Sequence, residues 1–308
     1  MAARPTASGQ HETAPYTGRF APSPTGDLHF GSLVAAVGSW LQARKAGGRW
    51  LVRIEDLDPP REVPGSAERI LADLERFGLV PDEPVVRQST RTEAYEQALE
   101  SLATSGRLFP CACTRSELPP GPYPGTCRNG LPTGREGRSL RLKTEDQTIR
   151  FLDGIQGPVE ENLATTTGDF VLRRADGYFA YQLAVVVDDA WQGVTEIVRG
   201  ADLIDSTARQ IAVQQALGLP TPDYLHLPVV KDQDGRKLGK RWAADPVVHR
   251  APLEALGEAL AFLGHAPPAQ RSLEERWAWA IDHWSPHRMP RTVAARTGPD
   301  GQTVYLAE

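Results

Sequence analysis

An α/β fold built on a parallel sheet is predicted for this 308-residue chain, and three observations carry the prediction. Short β-type runs alternate with amphipathic helical patterns as far as Gly106. A Pro/Gly-rich loop joins the first strand to the first helix, where parallel folds place their ligands. The 28 glycines and 26 prolines are scattered as turn punctuation and form no repeat.

Residues 1–16 read as a polar, disordered leader without the apolar core of a signal peptide. A strand ending near Ala21 leads into PSPTGDLHFG. A helix follows, with Leu33, Val34, Val37, Trp40 and Leu41 on one face, and Gly47-Gly48 ends it. RWLVRIED is a second strand ending in carboxylates. Ser66 opens a helix that turns Ile70, Leu71, Leu74 and Phe77 inward. Thr90 and Glu93 make a capping box for a third helix burying Tyr95, Ala98, Leu99 and Leu102. Residues 107–165, rich in Cys, Pro, Gly and Arg, break this rhythm and read as an insertion. From Gly168 the strand-like DFVLRR and YFAYQLAVVVDD resume it, the second with some helical character. Asp205 or Ser206 is expected to cap a helix carrying Ile211 and Leu217. Beyond residue 242 the chain turns helical. One helix holds Leu253, Leu256, Leu260 and Leu263, and another starts at the capping box Ser272–Glu275 and carries Trp277, Ile281 and Trp284. Residues 287–308 show no pattern.

Bulk chemistry narrows the function. Lys and Arg total 34 against 39 Asp and Glu, a net charge of -5, so any nucleic-acid surface must be local. No apolar run approaches the ~20 residues of a membrane span. The three cysteines are an odd number and lie together, unlike a secreted disulfide framework. A cytoplasmic enzyme is expected.

Three segments carry chemistry. In Arg19–Ser32 the helix N-terminus offers free N–H groups and positive partial charge to phosphates, and Gly26 and Gly31 permit close backbone approach. The same residues also fit an ordinary strand-to-helix loop with a helix-capping histidine. There is neither a G-x-G-x-x-G nor a G-x-x-x-x-G-K-[ST] element. In Val230–Arg241, five of twelve residues are basic. That loop could close over a triphosphate or be a solvated turn at Asp234-Gly235. Cys111, Cys113 and Cys127 lie within 17 residues. They suggest a structural zinc site with Tyr123 as the fourth donor, or three free thiols.

Taken together, the first two segments resemble a known pair. His29-Phe-Gly-Ser32 is placed like the HIGH signature of class I aminoacyl-tRNA synthetases, and Lys237-Leu-Gly-Lys-Arg241 like their KMSKS signature. GRFAPSPTGDLHFGS, LVRIEDLDPPR and YQLAVVVDDAWQGVTEIVRGADLIDSTARQ resemble the glutamyl branch of that class. The likeness covers about residues 17–242. Ser32 replaces the second histidine of HIGH, and Leu238 and Gly239 replace the usual Met and Ser.

The resemblance implies a Rossmann-type, doubly wound parallel sheet with a zinc-containing insertion and a small helical C-terminal region. It divides the chain into a first half of the nucleotide-binding domain (17–106), the insertion (107–165), a second half with the KMSKS-like loop (166–242) and the helical end (243–308). It implies catalytic roles for His29 and Lys240, and ATP contacts from His29, Gly31, Ser32, Lys237 and Lys240. Glutamate would meet Arg19 at its side-chain carboxylate and Glu55 at its ammonium, with Phe20, Ala21, Pro22, Ser23, Tyr181 and Arg199 completing the pocket. Relatives also carry Cys-x-Cys…Tyr-x-x-x-Cys, so Cys111, Cys113, Tyr123 and Cys127 are the implied zinc ligands. Only 67 residues follow Arg241, too few for the anticodon-binding domain of a full glutamyl enzyme. The chain is thereby similar to the glutamyl-queuosine tRNA(Asp) synthetase family. Its members activate glutamate without tRNA, using Mg²⁺-ATP, and attach it to queuosine in the anticodon loop of tRNA(Asp). A monomer is expected. The alternatives are a shortened conventional synthetase charging a 3′ end, and a non-catalytic paralogue binding adenylate or RNA.

Overall fold

The computed structural model describes residues 15–231, 247–269, 272–289, 291–292, 294–297 and 303–306. In chain order the first elements are β1 (Thr17–Phe20), α1 (Phe30–Lys45), β2 (Arg49–Ile54), α2 (Ser66–Arg76), β3 (Val86–Arg87) and α3 (Thr92–Thr104). Next come β4 (Leu108–Cys111), β5 (Ser139–Leu142), β6 (Thr148–Asp153), β7 (Gly157–Asn162), α4 (Leu163–Thr166) and β8 (Phe170–Arg173). Then follow α5 (Tyr181–Trp191), β9 (Glu196–Gly200), α6 (Ile204–Leu217), β10 (Asp223–Leu227) and β11 (Val229–Val230). The chain closes with α7 (Pro252–Phe262), α8 (Leu273–His283), β12 (Ala294–Thr297) and β13 (Thr303–Leu306).

Strands β1, β2 and β3 are parallel neighbours, as are β9 and β10. The two groups meet between β1 and β9. The Thr195 amide donates to the Thr17 carbonyl, and the Thr17 amide donates to Thr195 Oγ1, both at 2.9 Å. The spatial order is therefore β3-β2-β1 followed by β9-β10, and it reverses direction between β1 and β9. An open parallel sheet binds its ligand at such a reversal, beyond the carboxyl ends of the strands. From the 107–165 segment, β6 pairs in parallel with β10 and antiparallel with β7, while β4, β5 and β8 form a separate antiparallel sheet.

Helix α1 crosses the sheet with Leu33, Val34, Val37, Trp40 and Leu41 all buried, the face that the spacing predicts. Gly47 takes φ 66°, and a Cβ on Gly48 would lie 2.3 Å from the Tyr16 carbonyl, so the turn into β2 needs both glycines. The C-terminal helices close over α1. Trp277 packs 4.4 Å from Trp40 and donates to the Phe77 carbonyl, while Trp284 donates to Gln42. Ser272 caps α8 through the Glu275 amide, as its sequence predicts. Leu256, Leu260 and Leu263 are buried in the core cluster that α1 lines. Strands β12 and β13 extend β11, a pattern the sequence did not reveal.

Three local expectations need correction. Residues 181–191 form helix α5 and no strand. Leu183, Ala184, Val185, Val186, Asp188 and Asp189 are all buried, so the run has no polar face to show helical periodicity. The Thr90–Glu93 capping box does not form. A tight turn over Gln88–Thr90 comes first, Thr90 Oγ1 donates to the Arg87 carbonyl, and Arg91 takes the cap position. Helix α6 starts at Ile204, capped by neither Asp205 nor Ser206, because a short turn over Ala201–Leu203 runs straight into it.

Candidate active site

A cavity of about 210 Å³ opens at the sheet reversal. Its near wall is the chain leaving β1. Pro22 and Pro24 prevent the strand from continuing as regular structure, and Thr25 turns back to the Ser23 carbonyl at 2.8 Å. Gly26 has φ 140°, and Ser66 Oγ clamps it, donating to its carbonyl at 2.7 Å and accepting from its amide at 3.1 Å. His29 is the N-cap of α1. Its Nδ1 accepts from the Ser32 amide at 3.2 Å, and its Nε2 lies 3.0 Å from Ser32 Oγ. The capping role weighed in the sequence is thus real, and it holds the ring on the cavity wall. The far wall comes from the ends of β9 and β10. A Cβ on Gly200 would meet Asp202 Oδ1 at 2.4 Å, so only glycine lets Asp202 fold back there.

Of the residues singled out from the sequence, Phe20, Ala21, Pro22, Ser23, His29, Gly31 and Ser32 all line this cavity. Lys237 and Lys240 lie outside the described residues. Arg19, Glu55, Tyr181 and Arg199 are not among the residues lining it and gather instead in a charged layer of their own. The Arg19 side chain, 3% exposed, donates to Asp189 from Nε at 3.0 Å and from Nη2 at 3.3 Å. Arg53 lies beside it, with Nη2 2.8 Å from Asp189, and donates to Gln192 at 2.7 Å and to Glu55 at 3.3 Å. The neighbouring Asp188 accepts from Gln88, Arg91 and Tyr95 at 2.6–2.8 Å and so ties α3 to α5. In Arg199, Nε donates to His226, Nη1 to Gln210 and to the Tyr181 hydroxyl, and Nη2 to Thr207 and the Leu203 carbonyl. The Nη1–Tyr181 bond, at 3.4 Å, is the longest of these and the one a carboxylate would most readily displace.

Charge in this layer is balanced by geometry. Burial pushes the Asp189 carboxyl up, but Arg19 and Arg53 together bring it below the usual carboxylate range. Glu55 goes the other way, since burial outweighs its attraction to Arg53 and Arg19 and raises its carboxyl. A substrate ammonium placed there would favour the ionised form. Tyr181 is raised, chiefly by burial. Sequence reasoning missed Arg53, Asp188, Asp189, Asp153 and His226. The one available signal was the Asp188-Asp189 doublet inside an apolar run, where isolated carboxylates would be too costly to bury.

In the 107–165 segment the sulfurs of Cys111, Cys113 and Cys127 lie within 4.8 Å of one another. The Tyr123 hydroxyl is 3.4 Å from Cys111 Sγ and 3.8 Å from Cys113 Sγ. The 3.7 Å between Cys113 and Cys127 is far beyond a disulfide. It matches the edge of a tetrahedron around a metal with bonds of about 2.3 Å. Burial pushes the Cys111 thiol up, yet hydrogen bonds from Tyr123 and the Cys113 backbone prevail and bring it to about 7. Cys111 and Cys127 are buried, and Tyr123 is pinned by its amide to the Thr167 carbonyl at 2.9 Å. A Cβ on Gly168 would come within 2.5 Å of Tyr123, so the approach requires glycine. The cluster has the donors, spacing and rigidity to hold a metal ion.

A family model for tRNA synthetases class I (E and Q), catalytic domain, matches residues 16–120 and 128–270. The chain belongs to this family. A protein named glutamyl-Q tRNA(Asp) synthetase from Aromatoleum aromaticum is 56% identical over 292 residues, covering 91% of this chain and 92% of that protein. One of the same name from Chromobacterium violaceum is 55% identical, covering 89% and 95%. Among solved structures, the glutamate-tRNA synthetase of Elizabethkingia anophelis superposes with a TM-score of 0.80 at 26% identity, over 93% of this chain and 69% of that one. The class I synthetase fold expected from the two signatures is therefore present, and the family implies an amino acid, ATP and tRNA as partners. Among the described residues no helix is long and apolar enough to cross a membrane.

Proposed function

We propose that this protein activates L-glutamate with ATP, without requiring tRNA, and transfers the glutamyl group to queuosine in the anticodon loop of tRNA(Asp). One observation carries the reading. Relatives named for this activity match at 52–56% identity, and the chain spans 92–97% of their lengths. A shortened conventional synthetase would align only with part of its relatives.

In the first step a glutamate carboxylate oxygen attacks the α-phosphorus of ATP and pyrophosphate leaves, giving glutamyl-adenylate. The cavity wall suits that chemistry. The N-terminus of α1 and the His29 ring face it, and they stabilise phosphate charge without moving. Mg²⁺ arriving with ATP neutralises further phosphate charge. Lys240, and Lys237 beside it, would complete the charge at the leaving group. Arg19 holds the side-chain carboxylate, Glu55 the ammonium, and Tyr181 with Arg199 closes the pocket. In the second step a hydroxyl of the queuosine cyclopentenediol attacks the activated carbonyl. AMP leaves, an ester forms, and the hydroxyl proton is lost. No side-chain nucleophile is needed, since the protein supplies position and charge. Cys111, Cys113, Cys127 and Tyr123 would hold a structural zinc ion that staples the insertion. The enzyme acts as a cytoplasmic monomer, divided at about residues 107, 166 and 243 as its sequence suggests.

The test offers labelled glutamate, ATP and Mg²⁺ to tRNA pools with and without queuosine. Label in the queuosine pool alone is expected. Label in both pools would overturn the proposed acceptor.

A further inference from the structure

We propose that His226 is a positioning residue for glutamate: held by Asp153 as the tautomer protonated on Nδ1, it presents Nε2 as the acceptor that aims the Arg199 guanidinium at Tyr181. The inference rests on the glutamate reading of the site and assigns it a support from outside the two signature loops.

The geometry admits one protonation state. His226, on β10, is completely buried. Its Nδ1 lies 2.6 Å from Asp153 Oδ2 on β6, and its Nε2 lies 3.0 Å from Arg199 Nε on β9. A guanidinium nitrogen only donates, so Nε2 must be the acceptor. The ring is then neutral, and its single proton sits on Nδ1, facing a carboxylate. Asp153 cannot turn away, because it also accepts from the amides of Ile155 at 2.9 Å, Gln156 at 2.7 Å and His226 at 3.0 Å. The hairpin of β6 and β7 thereby reaches the glutamate pocket through a continuous chain: Asp153, His226, Arg199, Tyr181.

The groups facing the ring together leave it neutral. From α6, Thr207 Oγ1 lies 3.4 Å from Nε2, and Gln210 holds the same guanidinium at 2.8 Å. Tyr224 stacks alongside, its ring centre 6.1 Å away. Asp153 and the charge of Asp202 favour a second proton, whereas burial, the largest influence, and Arg199 oppose it, and the ring titrates below the usual histidine range. Adding that proton would set N–H against N–H at 3.0 Å and place a second cation beside Arg199. Nη1 would then lose its alignment with the Tyr181 hydroxyl.

Two measurements test the proposal. In ¹⁵N-histidine spectra of the full-length protein, the His226 ring, assigned through its proximity to Thr207 and Tyr224, is expected to carry its proton on Nδ1. It should stay neutral through the pH range where free imidazole titrates. A proton on Nε2, or free-imidazole titration, would overturn the assignment, and this arm needs no substitution. The second measurement is glutamate-dependent pyrophosphate exchange. His226→Asn keeps a donor for Asp153 but is too short to reach Arg199. Its KM for glutamate should rise about tenfold or more, the loss expected for a hydrogen bond to a charged group, while its KM for ATP stays within about twofold. His226→Gln, whose carbonyl reaches farther, should recover most of the glutamate affinity. An unchanged glutamate KM in a folded His226→Asn protein, or equal losses for both substrates, would refute the positioning role. Absence of glutamate-dependent exchange in the unaltered protein would instead sink the glutamate reading itself, with the tautomer still decided by the spectra.

Discussion

Replacing Asp189 by asparagine removes one negative charge from a site whose carboxylate is 4% exposed and leaves its volume nearly unchanged. The carboxylate is met by Arg19 at 3.0 and 3.3 Å and by Arg53 at 2.8 Å. Stranding a buried charge by removing its partner costs about 3–5 kcal/mol. Arg53 would still have Glu55 at 3.3 Å and Asp188 at 3.9 Å. Arg19 would lose its only ion-pair partner among the described residues. With one of the two cations still compensated, the expected loss lies near the lower end, about 3 kcal/mol. For a chain of 308 residues that lowers Tm by roughly 4–5 °C. Because Asp189 titrates below its ordinary range when folded, its contribution is fully present at neutral pH and is lost only as pH falls through that depressed value. The gap between Asp189→Asn and the parent should therefore be constant near neutrality and narrow in acid. Urea unfolding at several pH values measures it, and pyrophosphate exchange reports whether an untethered Arg19 raises KM for glutamate about tenfold, the loss expected for a charged hydrogen bond. A variant that loses under about 1 kcal/mol with an unchanged glutamate KM would refute the view that Asp189 holds Arg19 in place.

Further outcomes follow from the proposed chemistry. Lys240→Ala should slow glutamate-dependent pyrophosphate exchange about 10²–10³-fold, roughly 3–4 kcal/mol of transition-state stabilisation; an unaltered rate would remove Lys240 from the phosphate site. Glu55 must be ionised to hold an ammonium group, and burial raises its carboxyl. The kcat/KM for glutamate should accordingly climb with pH through that titration, and Glu55→Gln should flatten the rise; an acid limb that persists in the variant would point to another group. Metal analysis should find one zinc per chain. Cys127→Ser should release it and expose the 107–165 segment to proteolysis while exchange falls only a few-fold. Stoichiometric zinc in Cys127→Ser would exclude that thiol as a ligand.

Much of the site was legible because its signals are local. A loop of Pro22, Pro24 and Gly26 before a histidine-capped helix is written in consecutive residues, and the sequence singles out most of its cavity-lining members, though not Asp27 and Leu28. The cysteine cluster was legible for the same reason, its three thiols falling within 17 residues. Helix α5 was misread because burial on all sides erases the polar face by which a helix shows its period. Its Asp188 and Asp189 point into a charged layer whose partners, Arg19, Arg53, Gln88 and Arg91, lie about a hundred residues or more upstream. No window along the chain could pair them.

What the sequence by itself determined is the alternation of strands and helices, the family, the histidine-capped loop after the first strand and the grouping of the three thiols, because strand–helix rhythm, turn chemistry and short spacings act between near neighbours. What only the tertiary structure decided is how the buried charges are shared. Asp189 serves Arg19 and Arg53 at once, and Asp153 sets the tautomer through which His226 receives Arg199. In a low-dielectric interior a charge takes the partner that folding brings within hydrogen-bonding distance, and in this protein those partners come from strands and helices far apart in the chain.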